Sequence, residues 1–137
     1  MNLGAGYSRK IGIENATGNY IITIDSDDWI EPQFLENLLN KSDGCDMTFG
    51  SMFFDYEDGR NSEYFIIKEG EYSGLDKFEL MKTKQIIFLN TCLVKKELYT
   101  KVTYDTKRYN EDTPTLAKLL YYAERVKLVE EYGYHYI

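Results

Sequence analysis

Asp25, Asp27 and Asp28 stand in the run Ile24-Asp25-Ser26-Asp27-Asp28, directly after Tyr20-Ile21-Ile22-Thr23. Two carboxylates one residue apart on extended backbone can point to the same side. Hard oxygen donors of this kind suit Mg²⁺ or Mn²⁺, ions that share their coordination with the phosphates of a ligand. Ligands of open α/β sheets lie beyond the carboxyl ends of the strands, so carboxylates at a strand's exit have the placement of a metal-diphosphate site. The plain alternative is a solvated acidic turn in which Asp28 caps the helix that follows. Asp25, Asp27 and Glu36 also match positions 1, 3 and 12 of a calcium loop, but Ile30 stands at the glycine position and Pro32 two residues on. Gly4-x-Gly6 has no strand ahead of it and Arg9 in place of the third glycine, so it is no dinucleotide fingerprint.

The elements that must hold these residues follow from apolar periodicity. Tyr20 to Ile24 is β-branched, aromatic and unalternated, which predicts a strand covered on both faces in a mainly parallel sheet. A short helix is expected over Tyr7 to Ala16, closed by Gly18. Pro32 opens a second, whose Phe34, Leu35, Leu38 and Leu39 form a stripe ending near Lys41. The acidic run therefore joins a strand to a helix. Met47 to Tyr56 and Glu63 to Ile67 flank Asp58-Gly59 and read as two strands and a turn. Ser73-x-x-Asp76 resembles a capping box before Leu75, Phe78 and Met81, which predicts a further helix. Asn90 to Val94 reads as a strand and Lys96 to Lys101 as a short helix. Pro114 opens a last helix carrying Leu116, Leu119, Leu120 and Ala123 inward, and Val126 to Val129 returns as a strand.

At 137 residues the chain has room for one domain. Its 43% hydrophobic and 28% charged residues are those of a folded globular protein. A net charge of -7 has the wrong sign for a phosphate backbone, which argues against nucleic acid as a partner. Residues 11 to 40 hold no Lys or Arg, only Glu14, Asp25, Asp27, Asp28, Glu31 and Glu36 among the charged types. An anionic ligand could approach there only with a cation between. Cys45 and Cys92 form no metal-type pair and read as buried structural thiols. No apolar run approaches the roughly 20 residues that span a bilayer, and the start offers no leader, so the default compartment is the cytoplasm, with a peripheral position on the inner face of the membrane as its variant.

The motifs acquire meaning as a series. Asn2-x-Gly4, Ser8-Arg9-x-x-Gly12, Ala16-x-Gly18-x-Tyr20-Ile21 and Asp25-Ser26-Asp27-Asp28, followed by Pro32 and Leu35, resemble in that order the centre of a family 2 glycosyltransferase. Val94-Lys95-Lys96-Glu97-Leu98, Asn110-Glu111-Asp112-Thr113, the Leu116-to-Ala123 segment and Tyr132 to Tyr136 are similar to the rest of that catalytic domain. The resemblance implies an α/β, GT-A-like fold, a mixed sheet flanked by helices, that uses a nucleotide-diphosphate sugar such as a UDP-sugar. It implies Asp27 as a direct ligand of Mn²⁺ or Mg²⁺ and Asp25 as a partner of the donor ribose or of metal-bound water. By the same resemblance Arg9 lies near the donor, and Glu111-Asp112 is the acidic pair whose Asp is the general base. An inverting transfer to a glycan or lipid-linked acceptor is then expected, with Asp112 and Asp27 on opposite sides of the sugar. Each residue also has an ordinary reading: Arg9 pairs with a surface acid, Glu111-Asp112 caps a helix, Trp29 packs the loop, and His135 is structural instead of a metal ligand.

Members of that family begin with a strand-helix-strand unit that holds the base, and this sequence enters after it. The expectation is an incomplete domain whose Tyr20 strand exposes an edge of N-H and C=O groups. Weak nucleotide binding, or no activity for this chain alone, would follow. A noncatalytic remnant that self-associates through the bared edge, helped by 13 tyrosines, is the alternative from another class. The acidic run also resembles the opening of haloacid-dehalogenase-type phosphatases, although those follow it with a small residue and Thr or Val where this chain has Asp28 and Trp29.

Overall fold

Short β-branched and aromatic segments make nine strands among the described residues, which in this computed structural model are 4–65, 67–82, 88–104, 106 and 112–137. They are β1 (Tyr20–Ile21), β2 (Trp29–Ile30), β3 (Met47–Phe49), β4 (Met52–Phe54), β5 (Glu63–Phe65), β6 (Gly70–Ser73), β7 (Cys92–Lys95), β8 (Arg125–Leu128) and β9 (Tyr134–Tyr136). Four helices accompany them: α1 (Ala5–Asn15), α2 (Phe34–Lys41), α3 (Lys96–Tyr99) and α4 (Asp112–Tyr122). One sheet has the order β1-β7-β3-β8-β6 and the other β2-β9-β4-β5. Each contains one parallel pair, β3 with β8 and β4 with β9, and is otherwise antiparallel. This is the mixed α/β architecture expected, with helices at the flanks. No helix among the described residues is long and apolar enough to cross a membrane.

Strand alternation sorts the core into two parts. Cys92 and Val94 join Met47, Phe49, Leu119 and Leu120 in one apolar cluster, while Leu93 between them joins Phe34, Leu38, Met52 and Tyr134 in the other. Successive side chains of β7 point to opposite faces, so α4 packs on one face of the first sheet and α2 serves the other. Leu116, Leu119, Leu120 and Ala123 are all buried, as their spacing predicts. Only half of the α2 stripe is: Phe34 and Leu38 are buried, whereas Leu35 and Leu39 stay exposed. Cys45 and Cys92 are free and buried.

Five expectations need correction. Helix α1 is not closed by a left-handed Gly18: it ends at Asn15 and its C-cap is Ala16, in extended conformation, whose N–H donates to the Gly12 carbonyl. The Tyr20 strand is not in a mainly parallel sheet: only Tyr20 and Ile21 pair, antiparallel to Lys95 and Val94, and among the described residues β1 has no second neighbour. Ile22 and Thr23 are half-buried and Ile24 is exposed, so this segment is a sheet edge facing a cavity. Met47 to Tyr56 is two strands in two sheets, broken at Gly50. A Cβ at Gly50 would lie 3.0 Å from the Phe34 ring and 3.1 Å from the Glu131 carbonyl oxygen, so a side chain there would push on both and glycine fits without displacement. The Ser73-x-x-Asp76 segment forms no capped α-helix; Asp76–Met81 is a 3₁₀ turn without a side-chain cap, and Leu75 is exposed. Lys77 is the residue turned inward, donating to the Tyr121 and Ala123 carbonyls that end α4. Asp28, finally, does not cap α2.

Asp46 joins three strands at one end of the first sheet. Its carboxylate accepts from Lys95 Nζ at 2.8 Å and from the backbone N–H groups of Glu124 and Arg125 at 2.7 and 3.1 Å. Burial opposes its charge, but these donors outweigh that and hold its carboxyl below the usual carboxylate range. A folded-state value below the unfolded one adds stability above about pH 4 that is lost as pH falls through the folded value. Asp46→Asn should therefore lower stability by about 1.5–3 kcal/mol at neutral pH. Urea unfolding followed from pH 7 to 3 should show the difference from the parent shrinking with acid; a constant difference would refute the assignment.

Candidate functional site

α1 and the segment from Ile21 to Asp27 line an open cavity of about 800 Å³. Ile13, Ile21 and Ile22 make its apolar wall, while Arg9, Asp25 and Asp27 make its polar end. That is the size and mixed lining of a small-molecule site. The polar end forms because the chain leaves β1, runs extended to Asp25 and reverses. Asp28 N–H donates to the Asp25 carbonyl at 3.2 Å, closing a tight turn that contains Ser26 and Asp27.

Arg9 lies between two of the predicted acids. Its Nη2 donates to Asp25 Oδ1 and its Nη1 to Asp112 Oδ1, across 16 and 103 residues of sequence. The Arg9 side chain is 14% exposed, whereas those of Asp25 and Asp112 are 30% and 43% exposed, so a largely covered guanidinium holds two acids that reach solvent. Burial opposes its charge, yet Asp25 and Asp112 more than compensate and raise its pKa further, so the guanidinium remains a fixed cation. Arg9 thus pairs with acids that reach the surface, as its ordinary reading has it, and with two of them at once. Two carboxylates, Asp25 and Asp112, share this one guanidinium, and Asp27 and Asp28 follow in the same turn as Asp25, so the negative charge in excess favours a further cation.

Asp28 has a different task from its neighbours. Tyr134 Oη donates to Asp28 Oδ2, Ile137 N–H donates to Asp28 Oδ1 at 3.2 Å, and Tyr134 Oη accepts from Asp25 N–H at 3.3 Å. Burial raises the Asp28 pKa, with the Tyr134 hydrogen bond opposing. Burial and Asp28 together raise that of Tyr134, which keeps its hydroxyl a donor. Tyr134 is itself fully buried in β9. The acidic turn is therefore pinned to the second sheet through Asp28, which leaves exposed Asp27 to face outward. Asp27 lies on the wall of the large cavity and of a second one, of about 470 Å³, shared with Asp55, Tyr56 and Arg60.

Asp112 begins α4, consistent with acidic charge at a helix N-terminus. Glu111 lies outside the described residues, as do Asn110 and Asn2 of the sequence motifs. His135 is drawn to Asp55, its Nδ1 at 2.8 Å from Oδ2, and its ring is stacked between Trp29 and Phe53. That agrees with a structural histidine. Among the described residues no group of three His, Cys, Asp or Glu side chains could hold a metal ion by itself. Asp25 and Asp27 supply hard oxygens at a cavity mouth, a donor set that fits Mg²⁺ or Mn²⁺ when a ligand's phosphates and water complete the shell.

Sequence spacing pointed to Asp25 and Asp27, and the family resemblance to Arg9 and Asp112, but neither gave the links among them. The Arg9 bridge and the Tyr134–Asp28 tie had no local signal, since their partners come from opposite ends of the chain. Asp55 was likewise missed, being an ordinary turn acid by its neighbours.

Comparison with known proteins bears on the whole arrangement. The family model "Glycosyl transferase family 2" matches residues 1–103. Glycosyltransferase GlyA of Streptococcus pneumoniae is 28% identical over 98% of this chain and 21% of its own length. Glycosyltransferase GlyG of the same organism is 24% identical over 97% of this chain and 48% of its own. The chain thus spans less than half the length of these relatives. Among solved structures, residues 1–349 of S. aureus TarS superpose with a TM-score of 0.77 at 19% identity, covering 98% of this chain and 41% of that one. The same TarS region in complex with UDP-GlcNAc also gives 0.77 at 19% identity, over 97% and 38%.

Proposed function

The chain belongs to glycosyltransferase family 2, and from that membership we propose that it is the catalytic part of an enzyme that moves a sugar from a nucleotide-diphosphate sugar to an acceptor hydroxyl. The observation that carries the reading is the presence of Arg9, Asp25 and Asp27 on the wall of the large cavity, with Asp112 bonded to Arg9. The binding of UDP-GlcNAc by TarS supports a UDP-sugar as the donor class. A nucleotide-sugar donor suits a cytoplasmic reaction, at the inner face of the membrane if the acceptor is lipid-linked.

In this mechanism the donor diphosphate lies at the polar end of the cavity, beside Asp25 and Asp27. A divalent cation held there by these two carboxylates would offset the charge that develops on the leaving diphosphate. Arg9 keeps Asp25 and Asp112 in register with one another. The Asp112 carboxylate takes the proton of the acceptor hydroxyl as its oxygen bonds to the anomeric carbon, and the bond to the diphosphate breaks with its electron pair. Direct attack from the side opposite the diphosphate inverts the anomeric centre. Titration calorimetry with UDP tests the donor half. Binding should be present with Mn²⁺ and weakened strongly once EDTA removes the ion. Equal heats with and without the chelator would remove the metal from the scheme, and no heat in either case would sink the donor assignment.

Among the described residues β1 has no second neighbour, which favours a second reading in which the chain also associates through that edge with itself. Sedimentation should then show dimer growing with concentration. A monomer throughout would refute it.

A further inference from the structure

The acidic turn runs straight into Trp29, the only tryptophan in the chain, and this indole is held with unusual firmness for a side chain that is 47% exposed. Its inner face lies on the His135 ring at a centroid distance of 3.6 Å and an interplanar angle of 11°. His135 is backed in turn by Phe53, at 4.5 Å and 12°. Asp55 fixes the orientation of the middle ring: its carboxylate bonds His135 Nδ1 at 2.8 Å and accepts from Ser62 Oγ at 2.5 Å. Three stacked rings and one carboxylate thus orient a flat apolar surface at the end of the pile.

Loop packing does not require such support, because a half-exposed ring on a two-residue edge strand could lie against the surface in several ways. Position adds to the argument. Trp29 is one residue beyond the Asp25–Asp28 turn, so its Cα lies within about 11 Å of that of Asp25, from about 7 Å across the turn and 3.8 Å for the next residue. Asp28 and Glu31 neighbour it in sequence, and Asp55 neighbours it through His135. These carboxylates repel phosphate but accept hydrogen bonds from hydroxyl groups. The face of an aromatic ring carries negative charge and attracts the weakly positive C–H groups on the apolar face of a sugar ring. A neutral pyranose meets all of these conditions, and a diphosphate meets none.

We propose that the outer face of Trp29 is the platform on which a pyranose ring of the acceptor stacks, across the acidic turn from the donor cavity. The identification of this sugar as the acceptor rests on the glycosyl-transfer reading, whereas the platform itself is tested without donor. Because Trp29 is the sole tryptophan, its emission reports on this position alone. Titration with methyl β-D-glucopyranoside should change that emission saturably, while ribitol, a polyol with hydroxyl groups but no ring face, should leave it unchanged. Saturation-transfer NMR on the same glucoside should show affinity about 2- to 12-fold weaker for Trp29→Ala and largely retained for Trp29→Phe, which keeps a ring on His135. No emission change, an equal change with ribitol, or an unaltered affinity in Trp29→Ala would overturn the platform. If UDP still binds in a manganese-dependent way in that event, the donor reading stands and only the acceptor subsite is lost.

Discussion

Asp27→Ala should abolish the manganese-dependent part of UDP binding, a loss of at least about 100-fold in affinity, while leaving the folded state nearly untouched. The separation follows from how the acidic turn is held. Asp25 is engaged by Arg9, and Asp28 is engaged by Tyr134 and the Ile137 N–H, but Asp27 projects from the turn as an exposed side chain on the cavity walls. Altering even the groups that orient a metal's ligands typically costs 10- to 100-fold, so losing a ligand should cost at least the upper figure, about 100-fold. An exposed position away from any structural contact changes stability by about 0.5 kcal/mol or less. Calorimetry with UDP and Mn²⁺, paired with urea unfolding of the same variant, measures both. Binding that matches the parent would mean that Asp27 is no ligand, and equal losses of binding and stability would mean that the turn itself had collapsed.

Asp112→Asn should lower kcat by about 10²- to 10⁴-fold, the usual contribution of a positioned general base, with the donor KM changed only a few-fold. Asn keeps the shape of the side chain and an oxygen for Arg9 Nη1, so the bridge to Asp25 can persist. What it removes is the ability to take a proton. Loss of the charge from the first turn of α4 costs only about 0.3–1 kcal/mol, too little to unfold the domain. The measurement is steady-state transfer in the full enzyme, with UDP release as the readout. A kcat within threefold of the parent would exclude Asp112 as the base, and a donor KM raised in proportion to the loss of turnover would reassign it to holding Arg9.

Legibility differed between elements for identifiable reasons. The last helix was readable because Leu116, Leu119 and Leu120 repeat at the helical period, and burial of that stripe needs only some apolar neighbour. α2 was readable in position but not in width: its second pair, Leu35 and Leu39, meets no packed surface. The Tyr20 segment was misjudged because an unbroken apolar run looks alike whether a strand is paired on both sides or borders a cavity. Only the pairing of Tyr20 with Lys95, and the cavity against Ile21 and Ile22, distinguish the two. The break at Gly50 was equally hidden, since the Phe34 ring and the Glu131 carbonyl that a side chain there would push on come from distant parts of the chain.

The chemistry of the site is local in origin. Carboxylates at a strand's exit are a property of residue type and spacing, and they were sufficient to name Asp25 and Asp27, whereas Arg9 and Asp112 stood out only through the resemblance of the whole motif series to family 2 glycosyltransferases. Their division of labour is not local. Tyr134 decides that Asp28 anchors while Asp27 is left outward, and Arg9 decides that Asp25 and Asp112 act as one unit, through bonds spanning 106, 16 and 103 residues. Periodicity encodes which face of an element is apolar, but it carries no record of which distant donor will meet which acceptor. That is settled when the two sheets pack and buried polar groups must find partners.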